Sequence, residues 1–349
     1  MSPEADTISA APPPVPIDMN VIDNIVNGKI AAAGGDDAVT EILMTGPYPD
    51  WDMADLEARY RVHKLWQVED KDALIASHAD EIRAIATRGE LGASAALMAK
   101  LPKLEIVSCY GVGTDAIDLA YARENSIRVT NTPDVLTEDV ADIGIGLLLA
   151  VARKIPQADA HVRNGSWRKG NMPLVTRVCG KKLGIVGMGR VGAAVARRAA
   201  AFDCTVAYFD RQERDDLPYA FVGDLAELAR QNEFLIVTLA GGDSTRHIID
   251  AAVLAALGAD GILINISRGS TVDETALLAA LETGAIKGAG LDVFWNEPTI
   301  DERFLQLANV VLQPHHASGT VETRKAMGQL VRDNLAAHFS GQSLLTPVV

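Results

Sequence analysis

Arg268, Glu297 and His315 each close an apolar run near the end of the chain. They lie in Asn265-Ile-Ser-Arg268-Gly269, Leu291-Asp292-Val-Phe-Trp-Asn-Glu297-Pro298 and Gln313-Pro314-His315-His316-Ala-Ser-Gly-Thr320. Taken singly, none carries an argument, since a lone arginine commonly serves a salt bridge and a lone histidine the packing. Each run reads as a strand, however, and ligands of open parallel sheets bind beyond the carboxyl ends of the strands. The three side chains are therefore expected in one crevice as a catalytic cluster.

Upstream, Gly187-Met-Gly189-Arg190-Val191-Gly192 follows the apolar run Leu183–Val186 and precedes an alanine-rich helical stretch, Val191–Ala201. In that context the glycines permit a tight turn and a close approach of backbone to a pyrophosphate at the helix N-terminus. Asp210 ends the next apolar run, 23 residues beyond Gly187. An aspartate there accepts from ribose hydroxyls and repels a 2′-phosphate, which favours NAD over NADP. Arg211 follows it and suits that phosphate, so NADP stays open. A dinucleotide site beside the cluster implies redox chemistry on a small anionic substrate.

The elements that position these residues follow from patterning. At 349 residues, with 48% hydrophobic and 22% charged residues, the chain has ordinary globular composition and room for two domains. Apolar runs alternate with helical patterns from Glu41 onward. A first series comprises Ile42–Met44, Arg61–Leu65, Ile82–Thr87, Glu105–Ser108 and Ile127–Thr130. A second comprises Leu183–Val186, Thr205–Phe209, Phe234–Thr238, Ile262–Ile266, Gly288–Asp292 and Val310–Leu312. Such alternation predicts an α/β protein with two doubly wound parallel-sheet domains, the second a Rossmann dinucleotide-binding domain. The expected division is an N-terminal extension over 1–40, partly disordered, a substrate-binding domain over 41–136 completed by 321–349, and a nucleotide-binding domain over 137–320. The apolar stretch Glu138–Lys154, ended before Pro156, reads as a hinge helix. The polar stretch Gln157–Arg177, with Trp167, reads as an arm that packs on a second subunit.

The net charge of −14 argues against nucleic-acid binding and for an acidic cytoplasmic protein. The longest apolar run, Ile143–Ala152, is about half of a membrane span. The acidic, proline-rich N-terminus lacks the basic start of a signal peptide. Cys109, Cys179 and Cys204 are widely spaced and unpaired in pattern, so neither a disulfide framework nor a metal site is expected. Cys109 adjoins the candidate substrate loop, where a thiol has some scope to react.

These segments, together with Tyr110-Gly111-Val112-Gly113-Thr114-Asp115-Ala-Ile-Asp118, resemble the D-isomer-specific 2-hydroxyacid dehydrogenase family, from about residue 41 to the C-terminus. The stretch His315-His-Ala-Ser-Gly-Thr-Val-Glu-Thr-Arg324 resembles the glyoxylate/hydroxypyruvate reductase branch most. The resemblance implies reduction of short 2-oxo acids to 2-hydroxy acids by hydride transfer from a nicotinamide cofactor, in a homodimer. It implies that Arg268 clamps the carboxylate and polarises the carbonyl, a task suited to the guanidinium fork. His315 is implied as the proton donor in reduction, with Glu297 orienting it. Asp292 is implied to contact the nicotinamide carboxamide, Thr137 and Thr245 to line the cofactor, and the amides of Val112 and Gly113 to bind the substrate carboxylate. Arg88, in the loop Arg88-Gly89-Glu90, offers a second cation for that carboxylate or faces solvent. His316 reads as packing, and Trp295 as a wall of the crevice or an interface residue.

Because reduction consumes a proton held by His315, it should weaken as pH rises while oxidation gains. Rival readings within the family are D-lactate, 3-phosphoglycerate, formate or phosphite oxidation. A rival from another class is a non-catalytic, NAD-sensing corepressor-like binding protein, which turnover of any 2-oxo acid would eliminate.

Overall fold

The computed structural model describes residues 39–349, so the expected N-terminal extension lies almost entirely outside the described residues. Two wholly parallel sheets organise the rest. The first runs β1 (Glu41–Met44), β2 (Arg61–Lys64), β3 (Ile82–Arg88), β4 (Ile106–Tyr110) and β5 (Arg128–Thr130), in the spatial order β2-β1-β3-β4-β5. The second runs β6 (Lys182–Val186), β7 (Thr205–Phe209), β8 (Ala220–Phe221), β9 (Phe234–Val237), β10 (Ile262–Asn265), β11 (Gly288–Leu291) and β12 (Val310–Leu312). Its order is β12-β11-β10-β9-β6-β7-β8. The chain is thus the doubly wound α/β protein with a Rossmann sheet that the strand pattern predicts.

Burial explains why the inner strands read as unbroken apolar runs. Helices cover both faces of a parallel sheet, so β4, β9, β10 and β11 are buried at every position. The edge strands β2 and β8 are more exposed, with only His63 of β2 buried. Within β11, an added Cβ at Gly290 would lie 2.9 Å from Leu147 and 2.8 Å from Ile264, so glycine lets a helix settle on the sheet. That helix, Thr137–Arg153, buries Val140, Ala141, Gly144, Ile145, Leu147, Leu148 and Ala152, an i, i+3, i+4 stripe. Its apolar face joins the core around β6, β9 and β10. The expected hinge helix therefore packs along the second sheet, and the chain changes sheets at the segments before and after it in space, 131–136 and 313–320.

Pro156 does not end in loop. Lys154 adopts a left-handed conformation (φ 51°), and a new helix, Ile155–Arg163, begins with the proline in its first turn. There the missing N–H costs no hydrogen bond. The final helix, Val321–Phe339, returns to the first sheet. Its Arg332 pairs with Asp52, which is fully buried on the helix Asp50–Arg59, and the Tyr110 hydroxyl donates to the Arg324 carbonyl at 2.8 Å. Val348 beyond it bonds to Val129 of β5 at 2.7 Å.

Candidate active site at the carboxyl ends of both sheets

The glycine loop between β6 and the helix Arg190–Ala201 is shaped by two contacts that only glycine allows. Gly187 has φ 100°, in the region L side chains avoid, and a Cβ at Gly192 would lie 2.1 Å from the Gly187 carbonyl oxygen. Thr238 fixes the turn by donating to that same oxygen at 2.5 Å. Gly189, in contrast, has no atom within 4 Å of where its Cβ would stand, and no side chain caps the helix it starts. The open face, the uncapped helix N-terminus and the small residue together fit a dinucleotide pyrophosphate. Val191 turns its side chain to the core, leaving its backbone in the first turn of that helix. Arg190 reaches across to Asp134 at 2.8 Å.

Asp210 stands just after β7, with one carboxylate oxygen accepting from the Met188 N–H and the other from the Arg211 N–H, both at 2.7 Å. It therefore braces the glycine loop at the place where a ribose would lie. Arg211 is exposed beside it. Arg214, which the sequence reading did not single out, donates to the Met188 carbonyl at 2.9 Å and pairs with Asp216. A second guanidinium four residues beyond the acidic position was the available signal.

His315 follows β12 with φ 49°, an uncommon conformation for a residue with a side chain. Asp292 holds it there. The Asp292 carbonyl accepts from the His315 N–H at 2.8 Å, and its two carboxylate oxygens accept from the N–H groups of His316 and Ala317 at 2.8 and 3.1 Å. Asp292 is 1% exposed, and each of its carboxylate oxygens accepts from one N–H of the histidine loop. Burial pushes its carboxyl above the ordinary range, against the pull of those two N–H donors.

The imidazole is oriented from the opposite side. Its Nδ1 lies 2.6 Å from Glu297 Oε2, and Glu297 Oε1 accepts from the Phe294 N–H at 2.8 Å. Burial raises the Glu297 carboxyl, but the His315 hydrogen bond and charge, the Phe294 N–H and the Arg268 charge outweigh it. The net effect holds Glu297 below the usual glutamate range, as a carboxylate. With Nδ1 committed to Glu297, Nε2 is the ring nitrogen left for a substrate oxygen.

Arg268 begins the turn after β10, where polar side chains fix its backbone. Asn265 and Thr271 both donate to the Arg268 carbonyl, at 3.0 and 2.7 Å. The guanidinium donates to the Ser267 carbonyl at 2.8 Å and to Asp115 at 3.2 Å. Asp115 belongs to the loop after β4, so this contact joins the two sheets across the crevice. The same loop carries Val112 and Gly113. A Cβ on Gly113 would fall 1.6 Å from an Arg268 nitrogen, so the absence of a side chain at 113 is what admits the guanidinium. Among the described residues, no protein acceptor takes the Val112 or Gly113 N–H. A guanidinium beside two available N–H groups is a carboxylate-binding arrangement.

The other expected residues fall around this centre. Arg88 ends β3, pairs with Glu90 at 2.6 Å and lines a cavity of about 460 Å³ with Tyr48, Tyr110, His316 and Arg324. His316 is thus an exposed cavity wall, seated against Gly319, and does not take the packing role expected of it. Thr137 opens the helix Thr137–Arg153. The Thr245 hydroxyl donates to the carbonyls of Ala240 and Gly242, within its own loop. Trp295 stacks against Arg246 and His247 at 4.5 and 4.9 Å. Cys109 is buried, its thiol pushed up to about 12 chiefly by burial, which disfavours the reactive thiolate at this position.

The fold and this site define a dehydrogenase architecture, and the comparisons agree. Residues 145–317 match the family described as D-isomer specific 2-hydroxyacid dehydrogenase, NAD binding domain. Glyoxylate/hydroxypyruvate reductase A of Arabidopsis thaliana is 48% identical over 308 residues, covering 88% of this chain and 98% of the relative. Hydroxyphenylpyruvate reductase of Plectranthus scutellarioides matches at 48% identity with the same coverage. Among solved structures, the NADPH-dependent glyoxylate/hydroxypyruvate reductase of Sinorhizobium meliloti, in complex with NADP and malonate, superposes with a TM-score of 0.83. It is 43% identical and covers 89% of this chain and 97% of its own. The chain belongs to the D-isomer-specific 2-hydroxyacid dehydrogenase family.

Proposed function

We propose that the protein reduces short 2-oxo acids, glyoxylate and hydroxypyruvate foremost, to the corresponding 2-hydroxy acids. The observation that carries this reading is the 2.6 Å His315–Glu297 pair in a crevice that also holds Arg268 beside free backbone N–H groups. Gly187, Gly189, Gly192 and Asp210 would hold a nicotinamide dinucleotide, which when bound would supply the hydride. Arg268 and the amides of Val112 and Gly113 bind the substrate carboxylate and polarise the carbonyl at C2. His315 gives its proton to the carbonyl oxygen as C2 is reduced, and Glu297 stabilises the imidazolium before that transfer. In oxidation each step reverses, and His315 takes the hydroxyl proton.

For the cofactor, Asp210 supports NADH, whereas Arg211 and Arg214 offer cations to a 2′-phosphate. The ratio of kcat/KM for the two reduced cofactors decides between them. The likeness to hydroxyphenylpyruvate reductase, at 48% identity, favours a second reading in which bulkier 2-oxo acids, such as hydroxyphenylpyruvate, are also reduced.

The division we propose gives 41–136 with 321–349 to the substrate and 137–320 to the cofactor. Exposed Ile155, Val162, Trp167 and Leu174, the last fully accessible, support a homodimer built through the 155–177 segment. Three free cysteines and the acidic charge support a cytoplasmic setting. No described helix is long and apolar enough to cross a membrane. The test is loss of absorbance at the reduced nicotinamide band, with NADH and NADPH against glyoxylate, hydroxypyruvate, pyruvate and hydroxyphenylpyruvate. Turnover of the first two supports the reading. Binding of NADH without turnover of any substrate would leave a sensor-like protein instead.

A further inference from the structure

Away from the crevice, at the amino-terminal end of β1, Glu41, His63 and His78 bring their ligand atoms within 4.8 Å of one another. The sheet register assembles them. Leu43 pairs with His63 in the parallel β1–β2 ladder, so Glu41 and His63 lie two positions apart on one face. The helix Lys71–His78 covers that face and delivers His78 from its last residue. Glu41 and His63 are each 8% exposed, and the His78 side chain is 32% exposed, which leaves one open approach from solvent.

A single His–Glu hydrogen bond accounts for part of this cluster. Glu41 Oε2 lies 2.7 Å from His63 Nε2. It does not account for the second imidazole, whose centroid lies 4.1 Å from the first and whose Nδ1 is 3.7 Å from the same oxygen. Glu81 adds a fourth donor, with Oε2 3.1 Å from His78 Nδ1. Arg61 takes the other Glu41 oxygen at 2.9 Å, which holds Oε2 toward the two rings. Arg61 itself is 63% exposed, so solvent screens its repulsion of a cation.

We propose that Glu41, His63 and His78, completed by Glu81 or a water, form a binding site for a divalent transition metal, best suited to Zn²⁺. Donors on tetrahedral Zn²⁺ stand about 2.0–2.2 Å from the ion and therefore about 3.4 Å from each other. The observed separations of 2.7, 3.1 and 3.7 Å bracket that spacing. Two imidazoles and one or two carboxylates are a borderline donor set that selects Zn²⁺ over Ca²⁺ or Mg²⁺. The ion would replace the hydrogen bond between Glu41 and His63. It would tie β1, the edge strand β2 and the covering helix together, a structural role independent of the catalytic reading.

The full-length protein, cleared with a chelator, is titrated with Zn²⁺ alone by calorimetry and by thermal unfolding, beside His78→Gln and His315→Asn. His78 is part-exposed at a helix end, so its replacement leaves the metal-free unfolding temperature nearly unchanged. Wild type and His315→Asn are expected to bind one equivalent that raises the unfolding temperature. In His78→Gln that equivalent weakens by at least about tenfold. Equal behaviour of wild type and His78→Gln, including no binding by either, overturns the proposal. So does loss of the equivalent in His315→Asn, which would assign the ion to the catalytic crevice.

Discussion

At the scale of single residues, the crevice is built by what is missing as much as by what is present. Gly113 carries no Cβ, and the space is occupied by the Arg268 guanidinium. Gly113→Ala is therefore expected to keep the fold but push Arg268 from its position, with kcat/KM for a 2-oxo acid falling about 10²–10³-fold, the scale of a lost charge-stabilising donor. Normal activity with an unchanged unfolding temperature would show that Arg268 acts from elsewhere. Glu297 gives a pH prediction. Its carboxyl is held low in the folded protein, chiefly by His315 against the opposing effect of burial. Its contribution to stability is thus full above the ordinary glutamate range and is lost as pH falls through the lowered value. Unfolding of wild type and Glu297→Gln across acidic pH should converge at the low end and separate above it. Arg268, Glu297 and His315 were legible in the sequence because each lies in the polar segment that follows an apolar strand. Asp115, which holds Arg268, was not, because its partner lies 153 residues away on another sheet.

Among the elements, the glycine loop separates packing from binding at two neighbouring positions. A Cβ at Gly192 meets backbone, whereas at Gly189 it meets nothing. Gly192→Ala should lower the unfolding temperature of the protein without ligand. Gly189→Ala should leave that temperature unchanged and weaken dinucleotide binding, measurable by fluorescence quenching on titration with NADH. Tight binding by Gly189→Ala would remove the pyrophosphate from this loop. Most strands could be read directly because buried parallel strands are short apolar runs. The two-residue β8 was missed, being too short to show a pattern. The helix Ile155–Arg163 was not legible within the polar arm 157–177, because Pro156 marks the end of the preceding helix and equally suits the first turn of a new one. The Glu41–His63–His78 cluster has no sequence motif at all. Its members come together only through strand register and helix packing.

For the whole molecule, the return of the last helix to the first sheet rests partly on Asp52 and Arg332. Burial raises the Asp52 carboxyl, and Arg332 opposes this without cancelling it. The pair therefore gives little net stability, yet losing one member is costly because it strands the other in the core. Arg332→Met should destabilise by about 3 kcal/mol. A raised folded-state carboxyl pKa makes stability fall as pH rises, so the loss should be larger at neutral pH than in acid. A loss independent of pH, followed by denaturant unfolding, would point to packing rather than to the stranded charge. Both sheets must be held in register in this way for the two halves of the crevice to meet, and the central claim concerns what happens there. The most direct test is the pH dependence of hydroxypyruvate reduction by wild type and His315→Gln, with dinucleotide binding measured in parallel. The account predicts that wild-type kcat/KM falls as pH rises, because reduction consumes a proton. It predicts that His315→Gln binds the dinucleotide but loses about 10²–10⁴-fold in rate together with that pH dependence. A variant that reduces hydroxypyruvate as fast as wild type, with the same profile, would contradict it.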